Sequence, residues 1–88
     1  MLLSVFPNPF SDETNIHISL AEEEVSSIRI TDMEGRTVAV IADGITLAAG
    51  RHHFKWQANK SKVPENGMYM IIVDHGGRRQ IQKVIRTR

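Results

Sequence analysis

The chain has 88 residues, 41% of them hydrophobic and 24% charged, with a formal net charge of +1 and no cysteine. A chain of this length forms one domain with a single modest core, and a net charge near zero argues against a general attraction to nucleic acid. The absence of cysteine excludes disulfides and cysteine-based zinc sites. No apolar run approaches the roughly 20 residues of a membrane-spanning helix, so we expect a globular domain that does not span a membrane.

The first predicted element is a strand over residues 2–6 that ends at a double-proline corner, where Pro7 and Pro9 flank Asn8. Proline cannot donate to a sheet ladder and biases the preceding residue toward extended backbone. We predict that this strand lies at a sheet edge and leaves it at the corner. An aromatic side chain on either side, Phe6 and Phe10, is expected to anchor the corner.

The rest of the chain repeats a two-residue alternation of apolar and polar side chains, which is typical of strands. Residues 68–73 are apolar on both faces, as in a central strand. Turns are predicted at Asp32–Gly35 and at Gly76–Gly77, and at most one short helical turn at 21–24. The further predicted strands are 14–20, 27–31, 36–41, 51–56, 68–73 and 80–86. About seven short strands predict an all-β fold, an immunoglobulin-like antiparallel β-sandwich.

Candidate chemistry is sparse. His52 and His53 are adjacent and therefore point to opposite faces of a strand, and His17 and His75 are interpreted as further surface histidines. The chain contains no calcium-binding loop, no serine nucleophile elbow and no phosphate-binding glycine loop. We therefore predict no catalytic residue, no cofactor and no metal site, and expect that the protein is not an enzyme.

Two further groups of residues have competing interpretations. Phe54 and Trp56 lie on one strand face, which favours a place in the core over a sugar-stacking platform. The run Glu22–Glu24 is interpreted as a solvated loop. After Asp74 the chain has no acidic residue but carries five basic ones: Arg78, Arg79, Lys83, Arg86 and Arg88. These cations favour recognition by a protein partner over nucleic-acid binding or solubility alone.

Four features occur in a fixed order along the chain. They are the VFPNPF corner followed by residues 14–16, the strand 28–38 with its Asp-x-x-Gly-basic turn, Ala49–Trp56 followed by a Pro-x-x-Gly-x-Tyr stretch, and the closing strand 82–86. The ordered set resembles the C-terminal sorting domain of the type IX secretion system, type A (the Por secretion system sorting domain family), over residues 4–88. Thr31 stands where that family often has tyrosine, and modules of flagellar hook-capping proteins share parts of the pattern. The motif residues are Pro7, Asn8, Pro9, Asp32, Gly35, Gly50, Trp56, Pro64, Gly67 and Tyr69.

The resemblance implies a non-catalytic targeting signal at the end of a larger secreted protein, so residues 1–88 are expected to be a single domain excised from it. Such a domain directs its N-terminal cargo through the type IX translocon, from the periplasm to the cell surface or the medium. A surface sortase-like peptidase then commonly removes it. On the closing strand, Lys83, Arg86 and Arg88 are the residues expected to contact the machinery.

Two other functions remain open on the sequence alone. One is an accessory immunoglobulin-like module that binds glycan or stabilises a neighbouring catalytic domain. The other is a structural assembly module of an appendage, which would self-associate.

Overall fold

The computed structural model describes all 88 residues and consists of seven strands and one 3-10 helix. The strands are β1 (Leu2–Phe6), β2 (Glu13–Leu20), β3 (Glu24–Asp32), β4 (Thr37–Leu47), β5 (Gly50–Gln57), β6 (Gly67–His75) and β7 (Arg78–Arg86), and the helix is Ala58–Lys60. No helix has the length and apolar character needed to cross a membrane. The prediction of about seven short strands is confirmed.

The strands form two packed sheets with the orders β1-β2-β5 and β4-β3-β6-β7, and every ladder is antiparallel. This architecture confirms the predicted immunoglobulin-like β-sandwich. β6 is an interior strand, as its two apolar faces predict, whereas β1, β5, β4 and β7 are edges. The first and last strands of the chain therefore each leave one side of a sheet without a full neighbouring strand.

The core is a single cluster between the sheets, and its largest side chain is Trp56, which is 1% exposed. The Trp56 ring packs against Phe10 at 5.4 Å between centroids and edge-on against Tyr69 at 5.3 Å. Phe54, two residues before Trp56 on the same face, is half-buried against the cluster. The core interpretation of Trp56 is confirmed, and the same burial removes its ring from any sugar-stacking surface.

Both predicted turns are present, but β4 is longer than predicted. The Gly76–Gly77 loop joins β6 to β7 with φ angles of 51° and 79°, which suit glycine in a two-residue hairpin. β4 continues to Leu47 because Gly44 takes a φ of 59° where the β3–β4 register shifts, and its N–H donates to Ser27 Oγ at 2.8 Å. The side chain of one strand thus satisfies the backbone irregularity of the next.

Residues 21–24 form no helical turn, within the limit of at most one that the sequence allowed, because Glu24 already begins β3. Two predictions about side chains are wrong. Phe6 is 47% exposed, because alternate β1 residues face outward and Phe6 falls on the outer side. His75 is not a surface histidine but is 5% exposed, because it lies on the inner face of β6.

The buried His75 has a partner in the acidic run. Its Nδ1 lies 2.7 Å from Oε2 of Glu24, whose side chain is 15% exposed. Glu24 is therefore part of the sandwich rather than of a solvated loop, while Glu22 and Glu23 are exposed. The pair ties the start of β3 to the end of β6.

Candidate functional site: the first corner against the last strand

The proline corner packs against the outer edge of β7. The Asn8 side chain donates from Nδ2 to the Lys83 carbonyl at 3.1 Å, and its Oδ1 accepts from the Ile85 N–H at 3.0 Å. One amide group thus supplies a donor and an acceptor to the strand edge, as the backbone of a neighbouring strand would. This explains why asparagine stands between two prolines that have no N–H to offer.

Phe10 continues the contact with its backbone. The Phe10 N–H donates to the Ile85 carbonyl at 2.9 Å, the Thr87 N–H donates to the Phe10 carbonyl at 2.8 Å, and Phe10 forms a parallel bridge with Arg86. The ring of Phe10 is 3% exposed in the core. We call these contacts between residues 8–10 and residues 83–87 the terminal clasp.

The terminal clasp covers only half of the β7 edge. The backbone groups of Lys83, Ile85 and Thr87 point away from β6 and bond to the clasp. In an antiparallel ladder every second residue points its backbone groups to the same side, so those of Arg79 and Ile81 also point away from β6. No strand lies beside them, since β7 is the last strand of its sheet. The stretch Arg78–Ile81 is therefore the free edge, whereas residues 83–87 are closed by the chain itself.

Arg86 is buried within the protein at 6% exposure. Its Nε donates to the Ser11 carbonyl at 2.6 Å, and its Nη1 lies 3.3 Å from the carbonyls of both Val63 and Pro64. The guanidinium thus joins the segment after the corner to the loop before β6. These hydrogen bonds support a structural role for Arg86 inside the domain. Contact between Arg86 and a partner stays a prediction, and the burial of its side chain does not favour it.

Lys83 and Arg88 are exposed, in contrast to Arg86. Lys83 forms no ion pair, whereas Arg88 Nη1 lies 2.6 Å from Glu65 Oε1. The hydrogen bond and charge of Arg88 lower the pKa of Glu65 below its ordinary value of 4.5. At the other end of β7, Arg79 pairs with Asp74 at 2.7 Å, and Arg78 is exposed without an ion pair.

The Pro-x-x-Gly-x-Tyr stretch forms the loop that Arg86 holds. The Tyr69 hydroxyl donates to the Pro64 carbonyl at 3.4 Å, and burial raises the Tyr69 pKa, with the charge of Arg86 opposing and that of Asp32 reinforcing the shift. A Cβ on Gly67 would lie 3.0 Å from the Tyr69 hydroxyl and 3.2 Å from its ring. Gly67 therefore packs directly against the Tyr69 ring, and a side chain at position 67 would displace that ring.

The Asp-x-x-Gly-basic turn is closed by one carboxylate. Oδ1 of Asp32 accepts from the Glu34 and Arg36 N–H groups, both at 2.9 Å, and Oδ2 accepts from Arg36 Nε at 2.8 Å. Burial acts to raise the Asp32 pKa, but the hydrogen bonds from Arg36 and Glu34 outweigh it and lower the pKa below 3.8. Gly35, with φ 88°, supplies the left-handed turn position.

The remaining motif residue, Gly50, begins β5 with a φ of 119°, a conformation that side-chain-bearing residues rarely adopt. The motif residues therefore fall into two groups. One surrounds the terminal clasp and the Arg86 anchor: Pro7, Asn8, Pro9, Trp56, Pro64, Gly67 and Tyr69. The other, Asp32, Gly35 and Gly50, shapes distant turns.

An open groove of about 530 Å³ runs beside the Arg86 anchor and includes Ser11, Asp12, Glu65 and Arg88 in its walls. Only one of its nine lining residues is hydrophobic, which is unlike the mostly apolar pockets that bind small molecules. No group of three or more His, Asp or Glu side chains is placed to hold a metal ion.

The outer face of the β4-β3-β6-β7 sheet carries a group of apolar side chains beside the charged residues Arg29, Asp74, Arg79 and Lys83. Met68 is 47%, Ile81 53% and Val40 61% exposed, and Ile72 is 5% exposed although it faces away from the core. Ile72 lies directly opposite Ile81 in the β6–β7 ladder. We call this surface, with the free edge of β7 at its border, the outer apolar face.

The fold and this junction define an immunoglobulin-like domain whose motif residues build a closed scaffold around its last strand. Comparison with family profiles identifies it: the chain belongs to the secretion system C-terminal sorting domain family, which matches residues 4–87. A search of curated proteins gave no significant match. The membership makes the chain a type IX secretion targeting signal, a class that acts with the secretion machinery to export attached cargo to the surface or medium.

Proposed function

We propose that this domain is the folded signal by which the type IX machinery exports a cargo attached to its N-terminal side, passing through the periplasm, and that a surface sortase-like peptidase then removes it. The observation that carries this proposal is the family match over nearly the whole chain. In this proposal residues 1–88 are one domain of a larger secreted protein and act as a substrate rather than a catalyst.

We further propose that the machinery contacts the last strand through its exposed cations and its free edge. Lys83 and Arg78 are exposed and unpaired, and Arg78–Ile81 presents outward backbone groups beside the outer apolar face. Main-chain pairing at such an edge gives affinity, and neighbouring side chains give specificity. Like charges along β7 oppose pairing with a second copy, so we favour an extended partner segment with acidic and apolar residues.

The three basic residues Lys83, Arg86 and Arg88 have different roles in this proposal. Lys83 and Arg88 are candidates for direct contact, whereas the hydrogen bonds of Arg86 support an internal role. Lys83 has a backbone carbonyl in the terminal clasp while its ammonium group stays free. Its side chain can therefore be changed without breaking the clasp.

The test is export of a reporter that carries a Sec signal at its start and this domain at its end, in a type IX-competent host. We expect export with the intact domain, and reduced export when Lys83→Glu and Arg78→Glu reverse the charge of the free cations. Lys60→Glu, at an exposed cation on the 3-10 helix, is the matched control and should leave export unchanged. Point variants are preferable to deleting residues 78–88, which would also remove the clasp.

Three outcomes separate the proposals. Retention of the intact fusion in the periplasm contradicts the sorting function itself. Normal export of the Lys83 and Arg78 variants contradicts the recognition surface but leaves the sorting function standing. Export without release of the domain, as judged by the size of the secreted reporter, contradicts cleavage alone.

A further inference from the structure

The sandwich brings two histidines together on the sheet opposite to the outer apolar face. His17 on β2 and His53 on β5 are direct partners in the antiparallel register, and their ring centroids are 4.5 Å apart. Both side chains are exposed on the outer face of the β1-β2-β5 sheet. They are 36 residues apart in sequence, so no local sequence motif indicates that they form a pair.

The hydrogen bonds around His53 determine which of its nitrogens is free. Asn15 donates from Nδ2 to the Phe6 carbonyl at 3.1 Å, which orients its Oδ1 toward His53 Nε2 at 2.9 Å. An amide oxygen only accepts, so Nε2 of His53 carries the proton and Nδ1 presents a lone pair. This is the carbonyl–histidine arrangement that fixes the tautomer of metal-binding histidines.

His17 offers the second donor. Its imidazole makes no hydrogen bond within the protein, and the Phe6 ring packs against it with 4.7 Å between centroids. The exposed Phe6 ring thus restricts the imidazole of His17 beside that of His53. Two oriented imidazoles at this separation can share one metal ion, since metal–imidazole bonds are about 2.0–2.1 Å.

We propose that His17 and His53 form a bidentate site for a divalent transition metal, with water completing the coordination. Imidazole nitrogen suits copper, nickel and zinc, and Cu²⁺ is expected to bind most tightly of the three. Two cations share this face of β5: Lys55 is paired with Glu13 at 3.6 Å, which reduces its repulsion of a metal, and Arg51 lies opposite Ser19. With two protein ligands the site is open to exchange rather than a structural metal centre.

The experiment is a titration of the tag-free 88-residue chain with Cu²⁺, followed by calorimetry and by amide and imidazole NMR signals. We expect one ion per chain, with broadening that begins at His17 and His53 and binding weaker for Zn²⁺ than for Cu²⁺. His17→Ala and His53→Ala should each weaken binding by at least about tenfold, and Asn15→Ala should weaken it because the His53 tautomer is no longer held. All three positions are on the outer face, and unchanged backbone spectra will verify that the variants fold.

His52→Gln is the matched control. His52 neighbours His53 in the chain but lies on the inner face, with Nε2 2.7 Å from the Ala48 carbonyl. We expect its Cu²⁺ affinity to equal that of the original chain. Wild-type affinity in His17→Ala or His53→Ala, or broadening that begins at the Met1 amine, His52 or His75, would overturn the site.

Discussion

Replacing Arg86 is the sharpest test of the division between scaffold and recognition on the last strand. In Arg86→Ala the carbonyls of Ser11 and Val63 lose their guanidinium donor while the surrounding segments remain packed. A hydrogen bond to a charged group contributes about 1.5–3 kcal/mol. The 2.6 Å bond from Nε accounts for about 2 kcal/mol within that range, and the two 3.3 Å contacts, which share one nitrogen, together add about 1 kcal/mol.

The sum predicts a loss of about 3 kcal/mol in the free energy of unfolding of Arg86→Ala. In a domain of this size, that loss corresponds to a fall of about 12–24 °C in the melting temperature. Arg86→Lys should recover only part of it, because one ammonium group cannot reach the carbonyls on both sides of the planar guanidinium. Urea unfolding followed by Trp56 fluorescence and by circular dichroism measures all three proteins.

Lys83→Ala is the companion variant, since its side chain is exposed and unpaired, and its stability should remain within about 0.5 kcal/mol of the original. We therefore expect Arg86→Ala to lose stability and Lys83→Ala to lose export at normal stability. An Arg86→Ala protein that unfolds at the original urea concentration would refute the internal role. Full recovery of stability by lysine would show that charge, rather than the forked geometry, matters.

Three other predictions concern the proline corner, the Pro-x-x-Gly-x-Tyr loop and the Asp32–Gly35 turn. Phe10→Ala should cost about 3–5 kcal/mol and Phe6→Ala less than about 1 kcal/mol, since only Phe10 is buried, and equal losses in chemical unfolding would contradict this assignment. Gly67→Ala should cost about 1–3 kcal/mol because the Tyr69 ring must move, visible as a changed near-ultraviolet signal, and an unchanged melting curve would refute the contact. The lowered pKa of Asp32 means that its ionised form stabilises the fold above the ordinary value of 3.8 and that this contribution is lost as pH falls through the lower folded value. The stability difference between the original chain and Asp32→Asn should therefore shrink in acid below about pH 4, and a pH-independent difference would count against it.

The strands were predictable because alternation of side chains is a local property. Burial on one sheet face requires apolar residues at every second position, and Ile16 and Ile18 satisfy it without reference to other strands. The Gly76–Gly77 loop was equally visible, since few residues other than glycine take two consecutive positive φ angles. The end of β4 was not, because Gly44 is accommodated by a hydroxyl from another strand.

The candidate site was less predictable because its contacts join distant parts of the chain. Nothing local to Asn8 shows that its amide meets Lys83 and Ile85, 75 and 77 residues later. For Arg86 a signal did exist: it follows Val84 by two residues and therefore shares the inner face of β7. The same alternation points Lys83 away from the core, so the basic residues of the closing strand do not share one face.

The terminal clasp makes the native fold depend on the whole chain being present. Asn8 and Phe10 are synthesised before Ile85 and Thr87, so these hydrogen bonds of the clasp cannot form until the end of the last strand is available. A chain cut before Ile85 would lose the contacts of Ile85, Arg86 and Thr87 with residues 8–10 and keep only the Asn8–Lys83 hydrogen bond, which leaves this end of the fold more open to proteases. Completing the sandwich thus reports that the polypeptide is intact, and a machine that binds only the finished surface would reject truncated products without inspecting their sequence.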